Sequence, residues 1–126
     1  MAMQVTPHEF LIPVGGSEYR LSPTFSAITD IESRSGKGIN AILQTIIAGQ
    51  FSVTDLVTIV WAGVRANYRA NKLNLKDMPT WEKLGDEIQS AGYPSVINSL
   101  TDFLTALVNG TQAIQSGESN GEAEKN

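Results

Sequence analysis

The chain has 126 residues, of which 41% are hydrophobic and 17% charged, enough for one buried core and too few for two. It holds no cysteine, which excludes a disulfide framework, a thiolate zinc site and a cysteine nucleophile, and makes an intracellular setting the expectation. A formal net charge of −4 weighs against binding a phosphate backbone, whose affinity comes mostly from Lys and Arg.

Residues 9–14 and 18–21 read as two short extended pieces around Gly15-Gly16-Ser17, a β-hairpin of minor size. Pro13 cannot donate to a ladder, which places the first piece at an edge or at a bulge. From Ser22 the apolar spacing changes from alternation to threes and fours, the helical period. The first predicted helix runs from Pro23 to Ser35, with Ser22 as N-cap, Phe25, Ile28 and Ile31 on one inward face, and Gly36 as a left-handed stop. Ile39, Ile42, Leu43, Ile46 and Ile47 form the stripe of a second, short helix closed by Gly49. A third opens at Ser52, with Asp55 in its first turn. Val53, Leu56, Val57, Val60, Trp61, Val64 and Tyr68 then keep helical spacing, which nominates this helix as the one around which the others pack. Residues 71–79 break the pattern. Thr80 caps a fourth helix with Trp81, Leu84 and Ile88 inward, ending at Gly92. A fifth follows Tyr93-Pro94, carries Val96, Ile97, Leu100, Phe103, Leu104, Leu107 and Val108, and stops at Gly110.

The expected fold is therefore mainly α: a compact bundle of about five helices with a short N-terminal β-hairpin. Its organisation is a hairpin segment (1–21), a helical body (22–110) that forms a single domain with it, and a tail (111–126). The tail is rich in Gly, Ser, Glu and Asn, has no aromatic residue, and is expected to be disordered. The longest nearly apolar run, Leu56 to Val64, is far short of the roughly 20 residues that cross a bilayer. The first ten residues hold no Lys or Arg and do not read as a signal peptide.

Reactive chemistry is sparse. His8, the single histidine, has no second ligand at metal spacing. Asp30 with Glu32, and Asp86 with Glu87, point in different directions on a helix and do not make an acid–base pair. Residues 33–38 (Ser-Arg-Ser-Gly-Lys-Gly) lack the glycine spacing and Gly-Lys-Ser/Thr ending of a phosphate loop; here Gly36 stops one helix and Lys37 faces its negative end. No catalytic, cofactor or metal residue is assigned, and an enzyme is the least expected class. Arg65, Arg69 and Lys72 make a basic ridge on the third helix, a candidate for an acidic partner and, in a further reading, for DNA. Trp61 reads as core, whereas Trp81, after a polar linker, either covers the end of the bundle or, if partly exposed, serves as a contact residue.

With the order of elements in place, residues 16–38 (GSEYRLSPTFSAITDIESRSGKG) resemble a family of small proteins encoded in tailed-phage and gene transfer agent clusters, known as tail assembly chaperones or tail-tube-associated proteins. The matching features are Tyr-x-Leu, Pro-Thr-Phe-x-Ala-Ile, Ile31-Glu32 and Gly-Lys-Gly, followed by residues 52–56 (SVTDL), 60–64 (VWAGV) and the stretch from Trp81 to Gly92. The resemblance spans residues 15–108 and carries no catalytic residues. It implies a tail assembly chaperone that binds the tape measure protein, and tail tube subunits with it, in the host bacterial cytoplasm. The alternative it offers is a structural tail component, tube-associated or tail-completing, that stays in the virion. Tyr19, Leu21, Phe25, Ile28, Glu32, Gly36, Trp61 and Gly63 match the family pattern as scaffold, with Gly63 allowing close helix approach and Glu32 accepting from amides that open the second helix. A chaperone needs an exposed apolar surface, for which Ile46, Ile47 and Trp81 are the candidates, and a homo-oligomer suits a helical module of this size.

Overall fold

The computed structural model describes residues 9–110, so His8 and the expected disorder of 111–126 lie outside the described residues. Strands β1 (Phe10–Val14) and β2 (Ser17–Leu21) pair antiparallel, with Phe10 opposite Leu21 and Val14 opposite Ser17. The two-residue turn between them needs a left-handed residue, which Gly15 supplies at φ 61°. Alternation turns Ile12 and Val14 inward and leaves Leu11 and Pro13 outside.

Five helices follow: α1 (Phe25–Ser35), α2 (Ile39–Ile47), α3 (Val53–Ala70), α4 (Trp81–Ala91) and α5 (Pro94–Asn109). A single 3-10 turn, Leu75–Asp77, stands in the segment expected to be irregular. Helix α3 is the centre on one side, packing against α1, α4 and β2, while α5 packs against α2 and β1 on the other. The hairpin is thereby wedged between α3 and α5. It is not a minor appendage: Ile12, Val14 and Leu21 are all at most 2% exposed and belong to the same core cluster as Ile31, Ile42, Leu56, Ile59, Leu84, Ile88, Leu100 and Phe103. None of the helices in the described residues is long and apolar enough to cross a membrane.

Local signals place most ends as expected. Ser52 accepts from the Asp55 amide, Thr80 accepts from the Lys83 amide, and Pro94 opens α5. Gly36 closes α1 at φ 74°, and the Glu32 carboxylate receives the Ile39 amide at 2.8 Å, tying the start of α2 to the end of α1.

Several expectations are corrected. Helix α1 starts at Phe25, not Pro23, because Thr24 rather than Ser22 supplies the cap, accepting from the Ala27 amide. Ser22 is instead wholly buried: its amide donates to the Gly63 carbonyl at 3.1 Å, and its hydroxyl accepts from the Asn67 side chain. Phe25 does not face the core but is 77% exposed. At 100° per residue it lies nearly opposite Ala27 and Ile31, the residues α1 buries. Gly63 does allow a close approach, yet its neighbour is strand β2 and not a helix: an added Cβ would stand 2.7 Å from the Leu21 Cβ. Trp61, expected as core, is only half-buried, for α3 buries the residues on either side of it and turns Trp61, Arg65 and Tyr68 to its open face. Ile46 is 4% exposed and part of the core, so it leaves the candidate apolar surface, while Ile47 on the other side of α2 is 62% exposed.

Candidate functional site

The half-open face of α3 meets the last turn of α1 and the first turn of α4, and there the structure gathers side chains that are remote in sequence. The Arg34 guanidinium lies over the Trp81 ring at 4.5 Å from its centroid and over Trp61 at 5.3 Å. Such cation–π contacts contribute roughly 0.5–1 kcal/mol each at exposed sites. Trp81 is itself fixed, since its indole N–H donates to the buried Thr58 hydroxyl at 3.1 Å. Arg65 stands over Trp61 at 5.7 Å and pairs with Asp30 at 2.8 Å.

Asp30 and Arg34 sit one turn apart on α1, so this helix presents an anion to Arg65 and a cation to the two indoles. Asp30 and Arg65 satisfy each other. Arg34 does not share that fate: among the described residues no side-chain or backbone oxygen accepts a hydrogen bond from it, and no carboxylate pairs with it. Arg34 and Trp81 together line two hollows. One is also lined by Ser35, Lys37, Ser52, Thr54, Asp55 and Thr58. Within it Lys37 pairs with the buried Asp55 at 2.7 Å, so this lysine serves the start of α3 and not the end of α1. The other is lined by Trp61, Arg65, Leu75, Lys76, Met78, Pro79, Thr80 and Glu82, an apolar floor with a charged rim.

The other expected positions fall elsewhere. The basic ridge does not form as a unit: Arg65 is neutralised by Asp30, Arg69 is exposed, and Lys72 lies past the end of α3 with φ 57°. Ile47 lines neither hollow. Tyr19 is half-buried and its hydroxyl donates to the Glu87 carboxylate, bracing β2 against α4. Burial first, then the Glu87 hydrogen bond and charge, push its pKa up from 10.0 to about 12. Ile28 packs at the margin of the core.

Arg34 is the residue that sequence reading passed over, noticed only within the rejected phosphate-loop stretch. Its sole local signal is a cation in the last turn of a helix, which the helix dipole explains without any site. Its aromatic partners come from α3 and α4 and become neighbours only through packing. The grouped side chains can hold a planar anion beside apolar surface. They contain no nucleophile–base pair, and among the described residues no group of three or more His, Asp or Glu side chains is placed to hold a metal ion.

Comparison with known proteins adds one finding. The profile of a family described as phage tail tube protein, GTA-gp10, matches residues 8–77, more than half of the chain, from the first strand through the 3-10 turn. Neither a curated protein nor a solved structure matches.

Proposed function

We propose, from the premise that the chain belongs to the phage tail tube protein, GTA-gp10 family, that it is a structural component of a phage or gene transfer agent tail, tube-associated or tail-completing. The match over residues 8–77 carries this reading. It covers the hairpin, α1, α2 and α3, the frame on which Arg34, Trp61 and Arg65 are mounted. The role is non-enzymatic and needs no cofactor. Its partners are tail tube subunits and further copies of this chain, and its place of action is the host cytoplasm during assembly and the virion afterwards. The half-buried Trp81 and the exposed Ile47 are the contact residues put forward for those partners.

The same resemblance suggests a tail assembly chaperone that binds the tape measure protein, and one experiment separates the two. Particles are purified from the source phage or gene transfer agent, and their protein content is quantified by mass spectrometry. In parallel the chain is co-expressed with the tape measure protein. A fixed copy number per particle is the expected result. Absence from particles, together with a soluble complex that rescues an otherwise insoluble tape measure, would replace the structural role with the chaperone role.

A further inference from the structure

We propose that Arg34 and the hollow between Trp81 and the Leu75–Pro79 turn form a docking site for an acidic segment of a partner protein, a glutamate or aspartate carboxylate followed by an aliphatic side chain. This rests on the reading of Trp81 as a contact residue and is independent of the tail role.

The Arg34 guanidinium lies over two indoles, at 4.5 and 5.3 Å from their centroids, and these rings offer its N–H groups no oxygen to donate to. Its donors lie in the plane of the group, at the edge, and they form a rigid fork that matches a carboxylate. No acceptor among the described residues uses that fork. The orientation is held in advance, because Trp81 is anchored to Thr58 and Trp61 is flanked by the Arg65–Asp30 pair. Binding a carboxylate there therefore orders little that is still free. Beside it the floor of Leu75, Met78 and Pro79 offers apolar surface, with Leu75 38% exposed. That suits the aliphatic neighbour of the acid.

Charge selects the class of partner. The groups facing the hollow are Arg34, Lys76, the neutralised Arg65 and Glu82. This is a local cationic spot on a chain of net charge −4. A nucleic acid needs several free cations in a row to release counterions, and Glu82 stands in the way of such a row. A single carboxylate needs only the one fork.

The test uses the full chain and its own tryptophans, since the chain has two and both line this hollow. The probe is a short capped peptide of alternating leucine and glutamate, titrated against tryptophan fluorescence beside its glutamine analogue and a single-stranded oligonucleotide. The expected result is a saturable change with the glutamate peptide, at least about tenfold weaker with the glutamine peptide. Arg34→Lys, which keeps the charge and loses the fork, weakens the glutamate peptide by about tenfold as well. Circular dichroism of this variant should be unchanged, because Arg34 is an exposed residue of the last turn of α1. Equal response to both peptides, an unaffected Arg34→Lys protein, no saturable change, or a response to the oligonucleotide alone would each overturn the proposal.

Discussion

Gly63 is the residue that sets how closely β2 approaches α3. Its missing side chain lets β2 lie directly on α3, and its carbonyl takes the Ser22 amide at 3.1 Å. Gly63→Ala would press a methyl group into Leu21, and overpacking of this kind costs about 1–3 kcal/mol. The expected outcome is a lowered denaturant midpoint with an unchanged slope. The double variant Gly63→Ala with Leu21→Ala should lose less than the sum of the two, since Leu21→Ala removes the Cγ and Cδ2 that the new methyl would meet and that methyl fills part of the space they leave. Tyr19 gives a second test at this scale. Its pKa, pushed up to about 12, means that the folded state holds the phenol proton more tightly than the unfolded chain does at 10.0. That contribution is fully present below pH 10, and is lost as pH rises toward 12. Glu87→Gln removes the carboxylate charge, so an absorbance titration of the tyrosines should show one midpoint moving down toward 10.0. An unmoved titration would mean that burial alone sets the shift.

Among the elements, the helix caps separate what local sequence specifies from what packing selects. Ser22 and Thr24 are both good N-cap types, and only Thr24 serves, since Ser22 is drawn into the core by Gly63 and Asn67. Thr24→Ala and Thr80→Ala should each cost about 1 kcal/mol, read by chemical denaturation. Glu32→Ala should cost a similar amount, about 1 kcal/mol, because it frees the Ile39 amide at the start of α2. Helix existence and most helix ends were legible beforehand, because proline, glycine and Ser/Thr act within one turn of where they stand. At Phe25 the expected inward face of α1 fails, since the side chain is exposed. Three residues, Phe25, Ile28 and Ile31, are too few to tell a full apolar stripe from a single exposed aromatic one turn early, and Ala27, which points inward with Ile31, carries a weak hydrophobic signal.

For the whole molecule, the core decides which parts of the chain are needed. Among the described residues, the buried cluster runs from Ile12 to Leu107 and draws on both strands and all five helices. A chain ending at Gly110 should keep its thermal midpoint within about 2 °C of the full chain, because it retains the whole cluster formed by the described residues and the tail sequence is poor in apolar side chains. A larger fall would show that residues 111–126 contribute to the fold. Removal of the hairpin is the contrasting case. It strips Ile12, Val14 and Leu21 from between α3 and α5, and the remaining helices are expected to lose cooperative unfolding.

The sequence by itself determined the class of fold, the order of the elements, the roles of Gly36 and Glu32, and the likeness to a tail family, since these rest on periodicity, on capping within one turn, and on ordered short motifs. Tertiary structure alone decided that the hairpin is core, that Ile46 is buried while Ile47 is exposed, that Arg65 is spent on Asp30, and that Arg34 lies over Trp61 and Trp81 with no acceptor among the described residues. The physical reason is range. A helix stop or a cap is a contact among neighbours in the chain, whereas a side chain's partner across two helices depends on how those helices cross, and that is set by the whole core at once.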